Sequence, residues 1–261
     1  MLERTNLGWP ETPYGSVTRP VQKPGTWLTG ISLLWGEAGE PILMGAGVVL
    51  VKIHRTQSML VSAPLMNFGY RVLLPEGLGE TTQIVRELNA VFIQARRKSQ
   101  FLAWHNGAND LHVLQHVSRA EGEPRYAGIA AIASAWKDRT KRERGTVRCV
   151  DTSHDLGPAG LISDTSTGHG LEPLKSFAGQ QQQASAQEAC KALAQDQAAA
   201  YSPDALATSV LSSALTTALL GGKHTGRLHW EESLSLFDAL SEAAWEVAPS
   251  FLGGVAVTRS E

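Results

Sequence analysis

The segment Lys137–Arg148 (KDRTKRERGTVR) sets six basic residues, Lys137, Arg139, Lys141, Arg142, Arg144 and Arg148, against two acids. A guanidinium clasps two oxygens at once, so this density suits contacts to phosphate. Arg96, Arg97 and Lys98 form a second basic group. Both groups close predicted helices, where cations are favoured by the helix dipole without any ligand. His112 and His116 lie four apart on a predicted helix and share one face. With Asp110 or Glu121 they offer a zinc-type set, but the metalloprotease pattern needs Glu directly after the first His, and Val113 stands there. Phosphate-binding glycine loops of the Walker or dinucleotide type do not occur, nor does a Gly-x-Ser-x-Gly elbow. Taken singly, Glu37 reads as a solvated turn acid, Asp110 as a helix cap and Asp196 as one exposed face of an Ala-rich helix. His105 sits between a buried strand and a turn, as a satisfied core histidine or as a pocket wall.

Positioning these groups falls to an alternation of strands and helices. Trp27–Leu34, Ile42–Ile53 and Phe68–Leu74 read as three apolar strands, the second apolar enough for the middle of a sheet. The period then changes. Ile84, Val85, Leu88, Val91, Phe92 and Ala95 follow helical spacing after a Thr81 or Thr82 cap, so a helix is predicted to about Lys98. Phe101–Trp104 is a short buried strand. Asp110–Ala120 and Tyr126 to about Arg142 are helices, and Thr146–Val150 is a fifth strand. Trp104 and Trp136 fall on apolar stripes and read as core. Beyond Gly157 the chain is rich in Gly, Ser and Thr. A short helix is expected at Leu171–Phe177, a linker at Gln180–Gln183, and helices over 185–200, Leu206–Leu220 and Glu231–Val247. Internal repeats are absent.

Composition narrows the class. Of the 261 residues, 43% are hydrophobic and 18% charged, enough for a packed core and unlike a disordered chain. The longest apolar runs fall short of the ~20 residues of a membrane span. The first residues lack the charged-then-apolar layout of a signal peptide, and Cys149 and Cys190 are far apart, so a reduced cytoplasmic protein is expected. The net charge of −2 conceals a split. Residues 1–150 hold 18 of the 23 Lys and Arg against 12 acids, and the remainder holds 5 against 13. A basic first half points to a polyanion such as DNA or RNA, and the acidic C-terminal helices to protein partners.

The order of elements and three local motifs resemble the DnaQ-like 3′–5′ exonucleases of the DEDD superfamily. FLAWHNGANDLHVL (Phe101–Leu114) is similar to the family's second motif, a strand ending in His-Asn-x-x-Phe-Asp before a helix. His105, Asn106 and Asp110 match it, and Asn109 stands where Phe is usual. VRCVDTSHDL (Val147–Leu156) is similar to the strand that ends in Asp-Thr, and GLEPLKSFAG (Gly170–Gly179) to the helix leading to the last motif. The resemblance spans roughly residues 27–200. It implies an α/β fold, an RNase H-like mixed sheet of about five strands flanked by helices. Residues 1–25 become an extended arm, 26–200 an exonuclease-type core and 201–261 a C-terminal helical extension.

The same resemblance implies a centre for two divalent ions, Mg²⁺ or Mn²⁺, held by converging carboxylates. Carried over, the ligands are Glu37, Asp110 and Asp196, with His105 beside them; Asp238 is an alternative for the third motif. The pattern is incomplete. Trp35 occupies the position of the first Asp, and Lys191 or Ala192 that of the general base. The expectation is a nucleic-acid-binding relative of the exonucleases, weakly active or inactive, working within a larger nucleic-acid-processing or defence assembly. The alternative is an active metal-dependent exonuclease trimming DNA or RNA. A subunit of a defence or plasmid-maintenance complex with an unrelated fold is a third reading.

Overall fold

A computed structural model describes residues 1–7, 27–63, 66, 68–120, 126–140, 147–157, 161–174, 179–195 and 202–243. Lys141, Arg142, Arg144 and Asp196 lie outside the described residues. Six strands form the main sheet: β1 (Leu2–Thr5), β2 (Trp27–Ala38), β3 (Glu40–Lys52), β5 (Phe68–Leu74), β6 (Ser99–Trp104) and β7 (Arg148–Asp151). Their order across the sheet is β1-β5-β3-β2-β6-β7. The pairs β1/β5, β5/β3 and β3/β2 are antiparallel, whereas β2, β6 and β7 run parallel. A short strand β4 (Met59–Leu60) pairs with β9 (Leu228–His229), and β8 (Leu171–Glu172) pairs with β10 (Leu234–Ser235).

Helices cover both faces. On one lie α1 (Thr81–Lys98), α2 (Gly107–Ala120) and α3 (Ala127–Lys137). Their apolar stripes, including Ile84, Leu88, Phe92, Leu114 and Ile129, meet Ile31, Leu33 and Leu102 from the strands. The other face carries α6 (Gly179–Ala194), α7 (Pro203–His224) and α8 (Leu236–Ala243), packed on Leu28, Leu34, Val49 and Phe101. The alternation along β2, with Ile31 and Leu33 on one side and Leu28 and Leu34 on the other, is what a strand buried on both faces requires. Two small helices, α4 (Thr152–Asp155) and α5 (Ile162–Gly168), follow β7.

Several expectations need correction. The five anticipated strands are present, but β1 is a sixth. Within the 1–25 arm, Leu2–Thr5 is sheet, anchored where Arg71 on β5 meets Glu3 at 2.7 Å and Glu87 at 2.9 Å. Within the 201–261 extension, α7 packs on the sheet itself. α7 is buried along nearly its whole length and crosses β3, β2 and β6. A Cβ on Gly30 would overlap the Ala214 carbonyl oxygen, and one on Gly47 would come within 2.7 Å of the Val210 oxygen. Apolar residues all round such a helix mark a core element. α7 has the length and composition to cross a membrane, but 94% of its apolar window is buried in the protein. The Gln-rich stretch expected to be a linker belongs to α6, and the helix expected from Leu171 begins instead as the strand β8.

Candidate functional site

β2 pairs with β6 only as far as Ile31 opposite Trp104, and then continues to Ala38. Beyond that point no described strand lies beside its β6-side edge, and a cleft of about 470 Å³ opens there. The overhanging β2 residues Leu33, Leu34, Trp35 and Glu37 form one wall. His105, Asn106, Asn109 and Asp110 from the β6–α2 turn form another, and Ser213 and Thr217 on α7 close a third. The cleft therefore sits at the C-terminal ends of the parallel strands, the usual place for a site in sheets of this kind.

The turn after β6 is held by local chemistry. Asn106 has φ +58°, a left-handed conformation that Asn tolerates better than most residues. Its backbone N–H donates to Asp151 Oδ1 at 3.1 Å, fastening the turn to the end of β7. His105 Nδ1 lies 3.1 Å from Thr152 Oγ1 and makes a second tie. Gly107 admits the close approach of Trp136 and Trp104; a Cβ there would lie 2.6 Å from the first ring and 2.9 Å from the second. The two indoles meet edge to face, with centroids 5.9 Å apart.

Asp110, in the first turn of α2, is held from both sides. Trp35 Nε1 donates to Oδ1 at 2.9 Å and Trp104 Nε1 to Oδ2 at 2.7 Å. Burial pushes this carboxyl up to about 7; the two indole donors oppose the rise, and the negative charge of Asp151 adds to it. Asp110 is thus poised between acid and carboxylate near neutral pH, with one lone pair of each oxygen already engaged. Asp151 is buried. Its Oδ1 accepts from the Ser153 N–H and hydroxyl, and its Oδ2 is buried with no hydrogen-bond partner among the described residues. Asp155 accepts from the Asp151 N–H at 2.9 Å and pairs with Arg139 at 2.8 Å.

The carried-over site is only partly brought together. Glu37, Asp110 and His105 line one cleft, whereas Asp196 lies outside the described residues. Glu37 is exposed, and its backbone is clamped by the Gln187 side chain at 2.9 and 3.0 Å. His112 and His116 are exposed, and His116 faces Glu40 at 3.7 Å. Among the described residues, no three His, Cys, Asp or Glu side chains form a group able to hold a metal ion. Of the carried-over ligands, Glu37 and Asp110 line the cleft, and both oxygens of Asp110 already accept from indole N–H groups. No protein-family model, curated protein or solved structure matches the chain.

The basic residues divide between the two ends of the sheet. Lys137 and Arg139 end α3 beside the cleft, and Arg139 is spent on Asp155. Arg96, Arg97 and Lys98 end α1 just before β6, and Arg148 starts β7 opposite Phe101, so these four lie at the far end. The sequence reading missed Ser213, Thr217 and Asp151. The two α7 hydroxyls carry no charge and follow no metal-ligand spacing, so a search for carboxylates passes over them. Asp151 was visible as the end of the Asp-Thr strand but received no role.

Proposed function

We propose that this protein binds nucleic acid as a relative of the DnaQ-like 3′–5′ exonucleases, on an RNase H-like scaffold, with weak or no hydrolysis. The observation that carries this reading is the cleft and its place in the sheet. A mixed array of five strands, β5-β3-β2-β6-β7, with β3 antiparallel to parallel β2, β6 and β7, supports that reading. The cleft lies where the strands of such a sheet end, and the Asp of the His-Asn-x-x-x-Asp segment is in it. Yet two indoles hold that Asp, Trp35 replaces an expected carboxylate, and hydroxyls face the cleft from α7. Losing a general base alone costs about 10²–10⁴ in rate. The test is a titration of labelled single- and double-stranded DNA and RNA at two salt concentrations. Binding that weakens with salt is expected, because phosphate contacts release counterions. Failure of the folded protein to bind any of them at low salt overturns the reading.

One observation favours the active alternative. Asp151 Oδ2 is buried without a partner among the described residues, and its charge is felt at Asp110. A second carboxylate thus stands near the cleft that the carried-over ligand set omitted. Metal-dependent shortening of a labelled strand, abolished equally by Asp110→Ala and Asp151→Ala, would establish that alternative.

A further inference from the structure

We propose that the polyanion-binding face is the end of the sheet opposite the cleft, with Arg148 and Arg227 as its phosphate clamp. This inference rests on the nucleic-acid reading and deepens it by assigning a surface. Registry places Lys52 on β3, Trp27 on β2 and Ser99 on β6 side by side at that end, and Arg148 on β7 lies opposite Phe101. Arg96, Arg97 and Lys98 lead directly into Ser99. Gln100 Nε2 reaches the Arg55 carbonyl at 3.4 Å, which brings the loop after β3 to the same edge. The chain leaving α7 returns there as well, with Arg227 over the Phe101 ring. The segments 52–58, 94–100 and 223–229 that meet at this end contain no Asp or Glu.

Two observations turn this basic end into a site. The guanidinium carbons of Arg148 and Arg227 lie 5.2 and 5.8 Å from the centroid of the same Phe101 ring. Both cations thus lie against one ring, and among the described residues no carboxylate forms a salt bridge with either. In addition, Arg227 Nε is buried with no hydrogen-bond partner among the described residues. A buried charged donor left unpaired is costly, and a guanidinium without a counter-charge favours an anion. A phosphate held by the two forks supplies the missing counter-charge, because each planar fork can offer parallel donors to its oxygens. Phe101 is fully buried, so it positions the cations and offers no stacking surface for a base. The clamp therefore reads phosphate and not sequence.

The experiment compares Arg148→Gln/Arg227→Gln with Lys137→Glu, a charge reversal at the cleft end. Binding of a labelled oligonucleotide is measured across a salt series. The thermal midpoint is measured with and without tripolyphosphate, a probe independent of nucleic acid. The double variant is expected to bind roughly 10–100-fold more weakly at low salt, with a log–log salt slope shallower by about two, while Lys137→Glu changes binding less than threefold. Tripolyphosphate is expected to raise the midpoint of the wild type and not that of the double variant. Arg148→Lys/Arg227→Lys, which keeps the charge and loses the fork, should fall between and covers the case that the Gln variant does not fold. Unchanged binding by the double variant, or loss confined to Lys137→Glu, overturns the clamp and leaves the nucleic-acid reading standing. A wild type that binds no oligonucleotide but is stabilised by tripolyphosphate through these arginines retains the clamp and refutes the nucleic-acid reading. Absence of both effects refutes both.

Discussion

The two ends of the central sheet are built on opposite plans. At the cleft end the carboxylates of Asp110 and Asp155 are partnered, while Asp151 Oδ2, Trp136 Nε1 and Thr217 Oγ1 are buried without a hydrogen bond among the described residues. Asp110 is held by two indoles, Asp155 by Arg139 and the Asp151 N–H, and Asn106 by Asp151. At the opposite end cations gather without carboxylates, and a buried guanidinium nitrogen has no partner, among the described residues. Partnered networks specify a fold, whereas unpartnered charge marks a surface left for something else. The contrast is one of charge: carboxylates held by donors at the cleft end, and guanidiniums without carboxylate partners among the described residues at the basic end.

That contrast is easiest to break at the cleft turn. Gly107→Val should destabilise the protein by about 3 kcal/mol or more, because the new side chain meets the Trp104 and Trp136 rings and the backbone has no room to yield. Urea unfolding measures it; a loss below ~1 kcal/mol would show that the turn is not the rigid element described. Next in size is Trp104→Phe, which leaves Asp110 Oδ2 without its 2.7 Å donor and should cost about 1–3 kcal/mol. The loss should be smaller at acidic pH, where the carboxyl is protonated.

The pH dependence follows from the same carboxyl. Its value near 7 in the folded protein lies above the ordinary carboxylate value of 3.8, so the native state holds this proton more tightly than the unfolded chain does. The stabilising contribution is complete below about pH 4 and is lost as pH rises through 7. Asp110→Asn should remove that slope from the stability profile between pH 4 and 8. A profile unchanged by the substitution would place the titration elsewhere.

The smallest effects separate the two ends most directly. Arg139→Gln breaks a two-pronged, partly buried pair with Asp155 and should cost about 1 kcal/mol. Arg148→Gln at the opposite end should stay within about 0.5 kcal/mol, because Arg148 is exposed and loses little beyond its contact with the Phe101 ring. Equal costs at both ends would erase the contrast.

The parts legible in the sequence were those with a local signal. The apolar spacing of α1 and the two-sided burial of β2 and β3 follow from side-chain period, and so those elements stand where they were expected. β1 was hidden because Leu-Glu-Arg-Thr becomes a strand only through pairing with β5, which is far away in sequence. The α5 segment Ile162–Gly168 has no apolar stripe and is rich in Ser and Thr, so its helix carried no periodic signature. In α7 a signal was present and unused: Ala205–Gly222 contains no charged residue, which indicates burial on all sides. The Trp35–Asp110 bond could not be read at all, since it joins β2 to α2 through tertiary packing alone.

The central claim, binding without efficient hydrolysis, is tested most directly by one measurement. An end-labelled single strand is incubated with excess protein and Mn²⁺ at low salt, and bound fraction and strand length are followed together. The account predicts a bound strand that keeps its length, with wild type and Asp110→Ala behaving alike. Progressive shortening by the wild type that Asp110→Ala abolishes would contradict it.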